Sequence, residues 1–322
     1  NVSMAMLSYA SSHNGELPDL VDPATPMAAH PTSGTLTPWS VTLLPLVDSG
    51  ALYEQMVSAT PTETFDQLAS KGVAVYNCPA DLDRLAPGAM SYVVNGGYMT
   101  TSRWNSSGIT GHTVEGYDWQ ADGTSSPLTD LDKLVTMSTG VIWAPGASGL
   151  RSTLDRVRDG QAQTLLLSEN LDVGSFNSST DSGGWSSLVQ ADLCFALPIK
   201  EGSSASVPAD RATDANGFGN IGTAAAPDKA NALRFAAGGF SLVVGTTAAD
   251  DFSRGSINAR LNTAPVSASP RPSSLHPQAV NVIFCDGSGR AISDSIADVV
   301  YAQLISSNGS RLGQPVLSDN DF

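Results

Sequence analysis

The sequence predicts an α+β fold in which an N-terminal helix packs on an antiparallel β-sheet. Val2, Met6 and Ala10 recur near helical spacing at the start of the chain. The rest of the chain is dominated by short runs of β-forming residues between turns rich in Gly, Ser and Asp. Two such runs near the C-terminus flank Asp286 and Gly287, which is typical of a hairpin. Strands that follow a leading helix favour an antiparallel sheet in this class.

The other predicted elements follow along the chain. Residues 41–56 have helical spacing that Pro45 and Gly50 interrupt, so two short helices are expected. A last helix is expected from about residue 296, because Asp294 or Ser295 can cap it. Strands are predicted over residues 73–76, 91–94, 164–167, 193–197, 232–235 and 240–244. Loops are predicted over residues 101–132, 174–184 and 200–228, and an extended connection over 264–274.

The C-terminal hairpin has the clearest pattern. Apolar residues over 280–284 predict a largely buried strand. Asp286 and Gly287 are expected in the turn, because Asp-Gly tolerates the positive φ that a tight hairpin requires. Residues 290–292 resume the apolar pattern and form the returning strand.

Nine residues separate His276 from Asp286, and this pair allows two interpretations. The two side chains could act as a catalytic base and its orienting acid. Polar side chains beside turns more commonly satisfy backbone groups, so a structural role is favoured. Glu169, at the end of an apolar strand, allows the same two interpretations, with the same preference.

Length and charge limit the class of protein. With 322 residues and 41% hydrophobic residues, the chain can bury a sizeable core. We predict a single domain over residues 1–322, with an inserted lobe of strands and loops over residues 171–274. The net charge of −15 repels phosphate backbones, which argues against nucleic acid as a partner.

Catalytic motifs are largely missing from the sequence. It contains no Gly-x-Ser-x-Gly elbow, no His-Glu-x-x-His pair, no phosphate-binding glycine loop and no Cys-x-x-Cys pair. The sequence therefore predicts a protein that is not an enzyme and needs no cofactor. A hydrolase that uses His276 is the third functional hypothesis, after two others that are introduced below.

Calcium is the one metal ion for which the sequence suggests a binding site. Asp214 and Asn216 place side-chain oxygens at alternate positions beside glycines, loosely as in a Ca²⁺ loop, but the closing Glu of an EF-hand is missing. Solvated acidic turns are the more common explanation for such a pattern.

Aromatic residues in a Gly- and Ser-rich stretch suggest a second function. Trp104, Tyr117 and Trp119 could stack on sugar rings if their faces are exposed. The second hypothesis is therefore a module that binds an extracellular polysaccharide or another solute. Aromatic residues that fill the core are the more common alternative.

Four blocks, in order, resemble a large bacterial family of pilin-like surface proteins. That family carries a prepilin N-terminal methylation segment and a domain of unknown function that is sometimes labelled solute-binding. The blocks are residues 1–18; Cys78-Pro79 with the strand 91–96; residues 140–143 with 157–169, including Asp159, Gly160 and Glu169; and His276 with Asp286-Gly287. The third block departs from the family pattern at residues 161–163 and at Ser168, and residues 171–274 resemble nothing in it.

The resemblance implies a non-catalytic structural subunit, similar to the pilins and pseudopilins of type IV pili and type II secretion. It implies that an apolar anchoring helix precedes Asn1 in the full-length protein. Other pilin-like subunits would then be partners through that helix, and the body of the chain would lie at the cell surface or outside the cell.

The resemblance also suggests roles for the three cysteines. Cys78 corresponds to a family cysteine whose natural partner lies a few residues before Asn1. Cys194 and Cys285 depart from the family pattern, and one additional disulfide between them would explain both departures. The alternative is two buried free thiols, which behave as small hydrophobic side chains.

Overall fold

The structure, a computed structural model, describes residues 1–22, 24–81, 88–100, 130–143, 150–171, 173–177, 193–199, 257–258, 271–312, 316–318 and 322. The helices among them are α1 Val2–Ser12, α2 Trp39–Thr42, α3 Gly50–Val57, α4 Phe65–Ala69, α5 Asp130–Thr139 and α6 Asp298–Ile305. Two sheets of different size accompany these helices. A short pair joins β1 Val21–Asp22 to β2 Thr37–Pro38, and the main sheet contains β3 Tyr92–Thr100, β4 Leu165–Glu169, β5 Cys194–Ile199, β6 Ala279–Phe284 and β7 Gly289–Ser293.

The main sheet has the strand order β5-β3-β4-β6-β7. β3 pairs with β4, β4 with β6 and β6 with β7, all antiparallel. β5 lies at the edge and runs parallel to β3, so the sheet is mixed. The predicted α+β class is confirmed, and the parallel edge strand is the one departure from the predicted antiparallel sheet.

Helix α1 contributes one face to the same hydrophobic core as the sheet. Val2, Met6 and Ala10 are buried at four-residue intervals, which is the spacing of one helix face. Leu7 lies beside the β6-β7 turn, since a Cβ atom added to Gly287 would come within 2.7 Å of its Cδ1 atom. This contact joins the two ends of the described chain.

A buried asparagine joins three elements of the fold. The Asn95 side-chain amide nitrogen donates to the carbonyl oxygens of Leu165 at 2.7 Å and Ile305 at 2.8 Å. Its side-chain oxygen accepts from the Gly97 amide at 2.9 Å. Every polar atom of this side chain is therefore used to hold β3, β4 and the end of α6 together.

Several sequence predictions agree with the observed elements, and others are corrected. The strands at 91–94, 164–167 and 193–197 and the hairpin are confirmed. Helical structure over 41–56 is confirmed, with a 3₁₀ turn at Leu44–Val47 between α2 and α3. The last helix starts after Ala297 rather than after Asp294 or Ser295. The predicted strand at 73–76 is wrong, because Ala74–Tyr76 is a 3₁₀ turn that buries Tyr76.

Other predicted segments lie wholly or partly outside the described residues. These are the loop 101–132, except that α5 begins at Asp130, the strands 232–235 and 240–244, and most of the predicted lobe 171–274. The described part of that lobe includes β5, which belongs to the main sheet.

The predicted disulfide between Cys194 and Cys285 is not formed. Cys194 lies on edge strand β5, opposite Val94 of β3. Cys285 follows β6, and two strands separate β5 from β6 in the sheet. Three strand spacings correspond to about 14 Å, whereas a disulfide requires Cα atoms within about 7 Å. Both thiols are free and buried, and burial raises the pKa of Cys194 to about 12.

In the part of the chain that the structure describes, none of the helices combines the length and the apolar character that a membrane crossing requires.

Candidate functional site: a buried Cys-Glu-His cluster

Three side chains from distant parts of the chain meet at one end of β4. Cys78 follows the 3₁₀ turn before β3, Glu169 is the last residue of β4, and His276 lies in the loop before β6. Cys78 Sγ, a Glu169 carboxylate oxygen and a ring nitrogen of His276 all lie within 4.8 Å of one another. The antiparallel pairing of β4 with its neighbours brings these segments together.

Glu169 is held rigidly in this cluster. Its side chain is only 3% exposed, and its Oε2 atom accepts from the Asn281 backbone amide at 2.9 Å. Its Oε1 atom accepts from Asn281 Nδ2 at 3.2 Å and lies 3.2 Å from His276 Nε2. A buried carboxylate needs several such partners, because burial without them is costly.

His276 is positioned by its own loop. Its backbone amide donates to Ser274 Oγ at 3.1 Å, and that hydroxyl donates to the Ala279 carbonyl oxygen at 2.7 Å. The loop therefore closes on itself and directs the imidazole inward. The side chain is 33% exposed, so the cluster is reached by solvent from the His276 side.

Cys78 contributes the third side chain of the cluster. Its Sγ atom lies 3.7 Å from His276 Nε2, and its backbone amide donates to Ser91 Oγ at 3.0 Å. Burial and a hydrogen bond to the Glu169 carboxylate raise the pKa of the Cys78 thiol, while backbone amides of Ala80 and Asp81 act in the opposite direction. Neighbouring Tyr92 is affected as well, since burial, Cys78 and Glu169 raise its pKa to about 12.

The cluster differs in geometry from a nucleophile, base and acid relay. Such a relay uses one imidazole nitrogen for the nucleophile and the other for the acid. Here Cys78 Sγ and Glu169 Oε1 both face the same nitrogen, Nε2 of His276. The adjacent cavity, which Cys78 and Glu169 line, measures only about 10 Å³, about the space of one water molecule. Three donor atoms thus converge on one point that has no room for a large substrate.

His276 and Asp286 do not interact directly within this site. Asp286 Oδ1 instead accepts from the Ser288 amide at 2.8 Å and from Ser288 Oγ at 2.7 Å, which closes the hairpin turn. Gly287 has a φ of 86°, as the turn prediction requires. Asp286 therefore has a structural role in the turn. His276 contacts two side chains, Cys78 and Glu169, that the sequence did not place beside it.

Asp159 and Gly160 form a second junction, away from the cluster. The Asp159 carboxylate accepts from the backbone amides of Gly309 at 2.6 Å and Ser310 at 3.0 Å, and from the Ser310 hydroxyl. Gly160 has a φ of 109° and precedes the 3₁₀ turn Gln161–Gln163. Pro79 is exposed beside Cys78.

The other predicted site residues lie outside the described residues. They are the calcium candidates Asp214 and Asn216 and the aromatic residues Trp104, Tyr117 and Trp119.

The sequence did not reveal a basic cleft beside α5. Arg151, Arg156 and Arg158 line this cleft together with Glu16 and Asp155, and it has a volume of about 490 Å³. Arg151 forms an ion pair with Glu16 at 2.8 Å, and Arg156 contacts the Met137 sulfur at 3.2 Å. Three arginines in one cleft are notable in a chain of net charge −15. Three arginines within the eight residues 151–158 were the available signal.

Fold and site together define an α+β protein with a mixed sheet and a buried cluster of three metal-ligating residue types. The chain belongs to the family described as a protein of unknown function (DUF1559), which it matches over residues 1–298. The match includes all three residues of the cluster. No curated protein and no solved structure is significantly similar to the chain.

Proposed function

We propose that this chain is the body of a non-catalytic, pilin-like structural subunit at the cell surface or outside the cell. Membership of the family supports a common architecture over residues 1–298, and the sequence blocks support the pilin-like character. The observation that carries the proposal is α1, which buries one face in the core and leaves Met4 66% exposed.

The exposed methionine fits an assembly contact. An isolated helix gains little from exposing an apolar side chain to water, whereas an interface between subunits would bury it. An anchoring helix that continues α1 toward the membrane would place Met4 close to the neighbouring subunit. Other pilin-like subunits are thus the expected partners.

Site-specific cross-linking of the natural full-length protein on intact cells tests this proposal. Met4→Cys provides an accessible thiol, while the three native cysteines are buried. We expect a bismaleimide to give a cross-linked dimer from Met4→Cys but not from Ser70→Cys, an exposed position after α4. A monomeric product from both variants would overturn the proposal.

The non-catalytic part of the proposal rests on the cluster. The same imidazole nitrogen faces both the thiol and the carboxylate, and the adjacent cavity is small. A hydrolase that depends on His276 remains the alternative. Turnover of an ester or glycoside substrate that His276→Ala abolishes, in a variant that still folds, would establish that alternative.

A solute-binding module is the second candidate, and the basic cleft favours it. Arg156 and Arg158 are exposed in the cleft, and the described residues include no acidic partner within ion-pair distance of either side chain. Guanidinium groups bind carboxylates and phosphates in paired hydrogen bonds. The cleft therefore fits an anionic solute, such as an acidic polysaccharide.

Titration calorimetry with an oligouronate distinguishes this candidate. Binding that falls at least about tenfold in Arg156→Gln and Arg158→Gln would support it, because each lost charged hydrogen bond costs about 1.5–3 kcal/mol. Lys71→Gln removes the same charge from a site outside the cleft and serves as the control. Absence of binding by the wild type, or equal loss in the control, would exclude cleft recognition of this ligand.

A further inference from the structure

We propose that Cys78, Glu169 and His276 form a zinc site that joins the three segments carrying them. The inference does not rest on the proposed function, since the site would be present in a structural subunit and in a solute-binding module alike. It requires Cys78 as a free thiol, as in this structure, in place of a bond to the cysteine before Asn1 that the resemblance implies. It assigns a role to the one place in the described chain where a thiol, an imidazole and a carboxylate meet.

The spacing of the donor atoms matches tetrahedral zinc. Bond lengths of about 2.3 Å to sulfur and about 2.0–2.1 Å to nitrogen or oxygen place sulfur and nitrogen ligands about 3.6 Å apart, and nitrogen and oxygen ligands about 3.3 Å apart. Cys78 Sγ lies 3.7 Å from His276 Nε2, and that nitrogen lies 3.2 Å from Glu169 Oε1. Cys78 Sγ and the Glu169 oxygen lie within 4.8 Å of each other, so a single ion can contact all three atoms.

The convergence on one nitrogen also suits a metal ion. His276 Nε2 carries at most one proton, so it can donate to Cys78 or to Glu169 but not to both. An ion at the centre would satisfy the thiolate, the carboxylate and the imidazole lone pair together. It would also neutralise the two negative charges that zinc binding requires at this buried position.

Neighbouring groups hold two of the ligands in place. The Asn281 backbone amide and Nδ2 atom fix the Glu169 carboxylate, and ligating carboxylates usually have such partners. The Cys78 backbone amide donates to Ser91 Oγ at 3.0 Å, which fixes the main chain that carries the sulfur. The ligands are therefore oriented before an ion binds.

The donor types select among metals. Calcium and magnesium prefer oxygen ligands, whereas sulfur and imidazole nitrogen with one carboxylate suit zinc. The adjacent cavity of about 10 Å³ has room for about one water molecule as the fourth ligand. Binding would release the Cys78 thiol proton to solvent, and the ion would bond to sulfur, nitrogen and oxygen.

Metal analysis and cobalt substitution of the purified chain test the proposal. We expect one zinc ion per chain after dialysis against zinc and removal of excess metal. Replacement by Co²⁺ should give a thiolate-to-cobalt charge-transfer band and the strong visible bands of tetrahedral cobalt. A wild-type chain with no bound zinc, or with cobalt bands but no thiolate band, would overturn the proposed ligand set.

Matched variants assign the bound metal to the cluster. Zinc binding should weaken in each of the three ligand variants, Cys78→Ser, Glu169→Gln and His276→Ala. The loss should exceed the ~10–100-fold that results from replacing a residue that only holds a ligand in place. Cys194→Ala and His13→Ala remove the same residue types elsewhere and should retain full zinc content. Asn281→Ala should weaken binding about 10–100-fold while the cobalt spectrum keeps its thiolate band. Equal zinc content in all variants would contradict the site.

Discussion

At the residue scale, carboxylates in this protein have separate roles that their surroundings decide. Glu169 is buried and takes part in the cluster, Asp286 closes an exposed turn, and Asp159 accepts hydrogen bonds from the chain near residue 310. The sequence placed Glu169 at the end of a strand and Asp286 in a turn, but did not indicate which groups any of the three carboxylates would meet. The number and type of partners determine how much stability each contributes.

The Asp159 junction provides the first prediction. Asp159→Ala should lower the free energy of unfolding by about 1.5–3 kcal/mol, because the Gly309 and Ser310 amides would lose a charged acceptor. Chemical denaturation measures the change. Asp294→Ala, at an exposed position, should change stability by less than about 0.5 kcal/mol and serves as the control. Equal effects from both substitutions would refute the junction.

Asp19 provides a prediction about pH. Burial and the negative charges of Asp22 and Glu16 raise the pKa of Asp19 from 3.8 to about 7, although Arg151 acts in the opposite direction. The folded chain therefore binds more protons than the unfolded chain between about pH 4 and about pH 7. The Asp19 contribution to stability must fall as the pH rises through that window.

Asp19→Asn removes this pH-dependent cost. We expect the variant to match the wild type in stability near pH 4 and to be more stable by about 1–3 kcal/mol at pH 8. The pKa difference corresponds to about 4 kcal/mol, and the partial exposure of Asp19 to solvent reduces this value. Denaturation series at both pH values measure the difference. A variant that is equally or less stable at pH 8 would show that Asp19 ionises normally.

At the element scale, local sequence patterns predicted the parts of the fold that form between neighbours in the chain. The β6-β7 hairpin followed from alternation and one Asp-Gly turn, and α1 from helical spacing. The pairing of β5 with β3 joins segments about a hundred residues apart, so no local pattern indicates it. The strand predicted at 73–76 became a 3₁₀ turn because burial of Tyr76 outweighs the β preference of its neighbours.

The candidate site was predictable only in pieces for the same reason. Cys78, Glu169 and His276 each belong to a separate sequence block, and His276 lies 107 residues from Glu169 and 198 from Cys78. Their contact depends on the strand order of the sheet, which the spacing of residues within each block does not contain. The nearby Asp286 was therefore the more obvious partner for His276.

The hairpin turn allows a matched test at this scale. Gly287→Ala should destabilise the fold by about 1–3 kcal/mol, because φ is positive and the new Cβ atom would come within 2.7 Å of Leu7 Cδ1. Gly289→Ala lies in the same hairpin without positive φ, and its Cβ atom would meet the flexible end of Ile283 at 3.3 Å. We expect a much smaller effect there, measured by thermal unfolding.

A second substitution separates the contact from the backbone strain. In a Leu7→Ala background, Gly287→Ala should be less destabilising than in the wild type, because the methyl group has space. Unchanged destabilisation would mean that α1 does not pack against this turn.

At the scale of the whole molecule, net negative charge dominates the surface. The excess of 31 acidic over 16 basic residues makes the folded chain repel itself. We expect Tm to rise between about 0.01 M and about 0.15 M NaCl, as the Debye length falls from about 30 Å to about 8 Å.

The calcium hypothesis for Asp214 and Asn216 predicts a further rise in Tm when CaCl₂ replaces NaCl at equal ionic strength. This further rise should be lost in Asp214→Ala. Equal Tm values in the two salts would remove calcium from the account.

Electron microscopy of material sheared from cells that produce the natural full-length protein tests the central claim, a pilin-like structural subunit, most directly. Antibodies against the chain would label the sheared fraction. We expect labelled filaments or fibrillar assemblies in wild-type cells, and their loss when Met4→Glu introduces a charge at the exposed face of α1. Protein that reaches the surface in normal amounts but is found only as separate subunits would contradict it.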